Sequence, residues 1–310
     1  MQVHHNFENL GNIKNPVVTT GTFDGVHLGH KVIIDRLNFL AKSIGGESVL
    51  ITFHPHPRKV LYPNTAGKGL KLINSQKEKI QLLEKTGLDH LVIIEFTKDF
   101  AQTTSKEFVE GILLGKLRAK IIIVGFNHHF GHNREGDYSY LYELAKNQDF
   151  KVEEIPEQDL ENETVSSTIT RKALLDGRVQ RANAYLDHFF IITGILQKGD
   201  TKCEKIGFPT LEIIIEEKEK LVPKDGVYAI SVESENKRYR GMLNVKTSAE
   251  DQKTSVQVHL FDYNKNYSLI NKQATIAFHK RMRDELHLND SDGLKNQLKK
   301  DRAEIEELIY

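Results

Sequence analysis

The hydrophobic pattern of this 310-residue chain changes period once, near residue 186, and that change constrains the fold more than any other feature. Before it, short apolar or β-branched runs at 16–20, 48–53, 90–96, 119–124 and 151–155 alternate with segments at 28–42, 75–85, 105–117 and 138–146, whose apolar residues recur at helical spacing. Residues 167–186 read as a pair of short helices. Alternation of this kind predicts an α/β doubly wound parallel sheet. The run at 119–124 is the most apolar, which predicts the central strand. After residue 186, β-rich runs at 189–197, 211–215, 227–232, 239–245, 255–261 and 273–278 are separated by Gly, Asn and Lys-rich turns. They predict a small antiparallel barrel or sandwich. Leu294, Leu298, Ile305 and Leu308 then mark a C-terminal amphipathic helix. Two domains result, 1–184 and 185–310, in line with about 150 residues per domain.

Charge excludes several partners. Lys+Arg and Asp+Glu both number 43, and neither half of the chain carries a large excess of either sign. A protein whose main task is to grip nucleic acid or an anionic membrane needs a basic surplus. Cys203 is the one cysteine, so no internal disulfide forms, which suits a reducing compartment. The longest apolar runs, 121–124 and 189–192, are strand-sized, and the N-terminus lacks a secretory pattern. These features predict a cytoplasmic protein that acts on small molecules; a homo-oligomer is compatible with them.

Histidine is unevenly spread: ten of fourteen precede residue 184, and seven of those fall at 27 and 30, at 54 and 56, and at 128, 129 and 132. The first strand runs straight into GTFDGVHLGH (21–30) and then a helix. Gly25 and Gly29 allow close backbone approach, and a helix N-terminus offers unpaired N–H groups to phosphate. His27 and His30, three apart, can face one bound group and hydrogen-bond an α-phosphate as its charge grows. No Walker sequence and no GxGxxG accompanies them, against a P-loop ATPase or a dinucleotide-binding dehydrogenase. Ser166, Ser167 and Thr168 open a helix, and Arg171 lies within reach of that end, a second candidate anion site alongside ordinary capping. His54, Pro55, His56 and Pro57 leave the second strand as a stiff loop, and 125–137 leave the fourth. The histidine spacings match no zinc pattern.

The segments GTFDGVHLGH, FHPHP (53–57), VGFNHHFGHNREGD (124–137) and SSTITR (166–171), in that order, resemble the adenylyltransferase half of bacterial FAD synthetases, the bifunctional riboflavin kinase/FMN adenylyltransferases. GFPT (207–210), DGVYA (225–229), VQVHLFDY (256–263), RMRDELHL (281–288) and the closing helix resemble the kinase half. The resemblance covers essentially the whole chain. It implies a Rossmann-like nucleotidyltransferase domain followed by a riboflavin kinase-like antiparallel β-barrel with a C-terminal helix. It also implies that Gly21, Phe23, Asp24, Gly25, His27, Gly29 and His30 form the ATP site, with both histidines on the α-phosphate. Ser166, Ser167, Thr168 and Arg171 would hold the outer phosphates. His54, Pro55, His56, Pro57, Asn127 and Arg134 would face FMN. The implied chemistry joins FMN to the AMP part of ATP with Mg²⁺, and the barrel would phosphorylate riboflavin.

The kinase-like half departs from the family where its chemistry lies. Gly207, Pro209, Thr210 and Arg283 match, but Glu212 replaces the Asn expected beside Thr210 at the Mg²⁺ site. Gln257 stands where the family carries the Glu that takes the riboflavin hydroxyl proton. An amide cannot act as that base, and losing one costs about 10²–10⁴ in rate. The segments 198–205, 244–249 and 266–269 also differ from the family pattern. These departures predict an active adenylyltransferase joined to a kinase-impaired barrel. The alternatives are a bifunctional enzyme with Glu212 or another carboxylate as base, a non-catalytic flavin- or nucleotide-binding regulator, and an adenylyltransferase for another nucleotide.

Overall fold

A computed structural model describes residues 1–8, 10–161, 163–261, 263, 268–286 and 291–309, with 201 and 202 described by backbone alone. Asp262, Asn266, Tyr267, His287 and Leu288 of the motifs above lie outside the described residues. The chain divides into two compact units, Met1–Leu70 with Lys79–Ser166, and Lys71–Glu78 with everything from Ser167 onward.

The first unit is built on β1 (Gln2–His4), β2 (Val17–Thr20), β3 (Ser48–His54), β4 (His90–Glu95), β5 (Ile121–Gly125) and β6 (Lys151–Ile155). Every neighbouring pair is parallel, in the order β1-β4-β3-β2-β5-β6. Successive strand residues face opposite sides, so each strand feeds two cores. Val17, Leu50, Leu91, Ile93, Ile121 and Ile123 pack with Ile34, Leu37 and Ala41 of α1 (Leu28–Ser43). Val18, Val49, Ile51, Val92, Ile122 and Val124 pack on the other side with Phe108, Val109 and Leu113 of a π-helix, Glu107–Lys116. Sheet centre falls at β2 and β3, and β5 is interior but off-centre, which corrects the expectation for 119–124. Helices on both faces make every inner strand apolar, so apolarity alone does not rank them. The remaining elements are α2 (Pro57–Leu61), α3 (Gln76–Glu84), α4 (Tyr138–Ala145), two short 3-10 helices at Phe100–Gln102 and His132–Arg134, and a two-residue ribbon of β7 (Asp159–Leu160) and β8 (Glu163–Thr164).

The second unit opens with α5 (Ser167–Leu175) and α6 (Val179–Leu186), continues through β9 (Phe190–Lys198) and α7 (Thr201–Lys205), and then β10 (Leu211–Ile214), β11 (Gly226–Ser234), β12 (Lys237–Thr247), β13 (Thr254–Leu260), β14 (Gln273–Arg283) and α8 (Ser291–Leu308). Its strands close into a barrel in the order β10-β13-β12-β11-β14-β9, so no backbone edge is left exposed. Glu235 and Asn236, both at positive φ, make the two-residue turn that keeps β11 and β12 in register over nine pairs. Helix α6 packs within this unit: Asn183 donates to the Phe278 carbonyl at 2.9 Å and accepts from the Phe190 N–H at 2.7 Å. A buried ion pair, Lys220–Glu78 at 2.7 Å with both side chains fully sealed, fastens the 71–78 segment. Glu78 also accepts from the N–H groups of Ser75 and Thr193, so its charge is fully hydrogen-bonded.

Candidate functional site

Strand order reverses between β2 and β5: the chain builds β3 and β4 outward on one side and β6 on the other. Such a switch point opens a crevice at the strand C-termini. Loop 21–27 leaves β2 there and loop 126–137 leaves β5. Within the first loop Phe23, Gly25 and Val26 all adopt positive φ, at 48°, 92° and 43°. Glycine does so freely, whereas Phe and β-branched Val carry strain of roughly 1–3 kcal/mol each. Burial of both side chains offsets it, Phe23 at 3% and Val26 at 1% exposure.

The strained turn delivers His27 as the N-cap of α1 and His30 to its first turn. Their rings stack with centroids 3.6 Å apart, and Phe23 stacks on His30 at 4.5 Å. The Lys31 N–H to His27 carbonyl bond, at 3.0 Å, opens the helical ladder, so the N–H groups of 28–30 are available to an anion. His30 is held well below the usual imidazole range, first by burial, then by its neighbours His27 and Lys79. It is therefore neutral at pH 7. Its Nδ1 is sealed from solvent and has no hydrogen-bond partner among the described residues, a polar atom that a ligand would satisfy. Beneath the loop, the Lys79 ammonium donates to the Thr22 carbonyl at 3.2 Å and to Thr52 Oγ1 at 3.0 Å.

The second loop is pinned from below. The Ser105 N–H donates to Glu135 at 2.8 Å, the His132 N–H to the Thr103 carbonyl at 2.8 Å, and Asp137 caps α4 by accepting from the Tyr140 N–H. Asn127 and Arg134 sit exposed at positive φ on this loop. Burial lowers the His128 pKa to about 4, assisted by His129 and Arg134. After β3, the 54–57 stretch is not all loop: Pro57 opens α2, and His56 caps it by accepting from the Arg58 N–H at 3.1 Å. Proline at the first helical position is pre-set for this start. Ser166 closes the first unit, whereas Ser167, Thr168 and Arg171 belong to α5 in the second. There Arg171 Nε donates to the Lys71 carbonyl at 2.7 Å.

In the barrel, strand register lines up one polar rung. Asn244 lies opposite Gln257, and Gln257 opposite Glu212, so the three share the outer face. A cavity of about 120 Å³ lies between that face and α8, walled by Phe208, Met242, Leu294 and Leu298 with Asn244 and Gln257. His259 lines it too: Nδ1 lies 2.8 Å from the Pro209 carbonyl and so carries the proton, leaving Nε2 as acceptor. Burial holds this ring below the usual imidazole range. His259 Nε2 and Asn244 Oδ1 are both buried without a partner among the described residues. Arg283 reaches the cavity but is clamped by Asp301 of α8, with Nε to Oδ1 at 3.0 Å and the terminal nitrogen to Oδ2 at 2.5 Å. Thr210, which lines the cavity, and Glu212, two residues further along the chain, offer a hydroxyl and a carboxylate. That oxygen set suits Mg²⁺, which completes its shell with phosphate and water. No three His, Cys, Asp or Glu side chains converge among the described residues.

Sequence reasoning brought out His27, His30 and the glycine loop, and the structure brings these together. It missed Lys79, Thr52 and Asp301, because Lys and Asp on helices ordinarily face water and nothing in their spacing says otherwise.

Comparison with known proteins agrees with this layout. The FAD synthetase family model matches residues 11–169, and the riboflavin kinase family model matches 186–309. Bifunctional riboflavin kinase/FMN adenylyltransferases are similar along nearly their whole length. The Listeria monocytogenes protein is 31% identical, covering 94% of this chain and 91% of its own. The protein of Buchnera aphidicola from Schizaphis graminum is 33% identical, covering 96% and 94%. The Bacillus subtilis protein is 32% identical, covering 93% and 90%. A crystal structure described as a macrolide-efflux protein from Streptococcus pneumoniae superposes with a TM-score of 0.87 at 28% identity, covering 97% of both chains. Among the described residues of this chain, no helix is long and apolar enough to cross a membrane.

Proposed function

Because the chain belongs to the bifunctional riboflavin kinase/FMN adenylyltransferase family, we propose that its N-terminal half transfers AMP from ATP to FMN and that its barrel is a weak riboflavin kinase. We place the adenylyltransferase in 1–184 and the kinase-like region in 185–310. An FMN phosphate oxygen attacks the α-phosphorus of ATP in line. One O–P bond forms, the bond to the bridging α,β oxygen breaks, and pyrophosphate leaves. The nucleophile is already ionised, so no general base is needed and positioning with charge stabilisation suffices.

His27 and His30 donate to the α-phosphate oxygens as negative charge gathers there, beside the free N–H groups that begin α1. Gly21, Phe23, Asp24, Gly25 and Gly29 shape the loop around ATP. Ser166, Ser167, Thr168 and Arg171 hold the outer phosphates. His54, Pro55, His56, Pro57, Asn127 and Arg134 receive FMN. In the barrel, Gly207, Pro209, Thr210, Glu212 and Arg283 frame the kinase-like site, where Thr210 and Glu212 would hold Mg²⁺, an ion that neutralises phosphate charge when bound. The observation that carries the adenylyl reading is the stacked His27–His30 pair, with a neutral, unsatisfied His30, at a switch-point helix N-terminus.

A second reading, full bifunctionality with Glu212 as kinase base, is favoured by the rung that sets Glu212 opposite Gln257. One experiment separates the readings. The purified chain is incubated with Mg-ATP and either FMN or riboflavin, and the flavins are resolved. FAD from FMN, with little from riboflavin, supports the proposal. Equal yield from both supports full bifunctionality, and no product from either supports a binding protein.

A further inference from the structure

We propose that Lys79 is a positioning residue for adenylyl transfer: it holds the phosphate-facing loop by the Thr22 carbonyl and sets a buried positive charge behind that loop. The inference rests on the adenylyltransferase reading above and assigns a residue that no motif of the chain marks.

Lys79 is 7% exposed, and Thr52 is fully buried. Ammonium, hydroxyl and carbonyl close a triangle: Lys79 Nζ lies 3.0 Å from Thr52 Oγ1 and 3.2 Å from the Thr22 carbonyl, and Thr52 Oγ1 donates to that same carbonyl at 3.1 Å. Thr22 sits between Gly21 and Phe23, at the point where β2 gives way to the positive-φ turn. The triangle therefore fixes the carbonyl immediately before the strained residues that present His27 and His30. Burying a lysine ammonium is expensive, and an apolar side chain of equal length would fill the space at lower cost. Beside a site that gathers phosphate oxygens, the same charge attracts the ligand and opposes protonation of His30.

Three variants test this, with wild-type conversion of FMN to FAD as the control; failure of that control defeats the adenylyltransferase reading rather than this one. In Lys79→Met the charge and the bonds to Thr22 and Thr52 are lost at similar volume. The expected outcome is a fall in kcat of about 10²-fold with KM for FMN little changed, the scale of a site displaced by a fraction of an ångström to one ångström. The His30 ring resonance should also titrate at higher pH than in wild type, because a like charge has been removed. Lys79→Arg keeps the charge and should retain the wild-type His30 titration. Thr52→Val removes only the hydroxyl and should lower kcat by about tenfold, since one neutral hydrogen bond is lost. A folded Lys79→Met enzyme with kcat within about twofold of wild type overturns the proposal, as does a lost kcat with an unmoved His30 titration. Where Lys79→Met does not fold, Thr52→Val decides: wild-type kcat in that variant overturns the positioning role.

Discussion

At neutral pH the His30 ring is uncharged, because burial, the stacked His27 and the Lys79 ammonium each oppose a further proton. A neutral imidazole is a hydrogen-bond donor whose strength grows with the charge opposite it, and in the proposed reaction that charge develops on the α-phosphate. Replacing His30 by Ala is expected to lower kcat for FAD formation by about 10²–10³ with FMN binding little changed, read by steady-state kinetics and flavin fluorescence titration. His128 makes a different prediction, about stability. Its folded pKa is about 4, against an unfolded value near 6.5. Between those pH values the unfolded chain holds more protons, so stability is fully present above about 6.5 and is lost progressively as the pH falls toward 4. Thermal melts between pH 7 and 5 should show this loss, and His128→Gln should flatten it. An unchanged slope in the variant would assign the loss to other groups.

The elements show what sequence periodicity can and cannot reveal. Helix α8 was legible from its apolar stripe, but its attachment was not: Asp301, 2% exposed, is the acceptor that clamps Arg283. Removing one partner of a buried pair leaves the other charge unmet. Asp301→Ala should therefore destabilise the barrel by about 3 kcal/mol, measured by denaturant unfolding. Strand β1 was missed because three residues, Gln2–His4, hold too little pattern to read, and only pairing with β4 defines them. The segment 105–117 was legible as helical but not as a π-helix, whose Leu117 N–H to Ile112 carbonyl bond skips one residue more than an α-turn. The nucleotide loop was legible because glycine and histidine declare themselves in sequence. Lys79 and Thr52 were not, since their work is done by partners contributed from other elements.

Across the whole molecule, 43 basic residues balance 43 acidic ones, although the substrates are polyanions. Under the proposed function, phosphate charge would be met locally, by α1 N–H groups, ring N–H donors and a few placed cations, rather than by a long-range field. Raising ionic strength from about 0.05 to 0.5 M should accordingly change kcat/KM for ATP by less than about threefold, because only exposed, distant charges are strongly screened. A steep fall would instead reveal steering by surface lysines. The order of the six-stranded sheet serves the same economy: the reversal between β2 and β5 places two loop sets at one crevice without an extended charged surface.

The barrel rung that sets Glu212 against Gln257 couples the two substitutions that could rebuild a kinase. Introducing Glu at 257 alone would place two carboxylates directly across a strand pair, where like charges repel and one of them keeps its proton. Gln257→Glu should therefore raise the riboflavin kinase rate only slightly, whereas Glu212→Asn with Gln257→Glu should raise it by more than the two single effects combined. Such synergy, measured as a double-mutant cycle on kcat, ties the gain available at 257 to the residue that stands at 212.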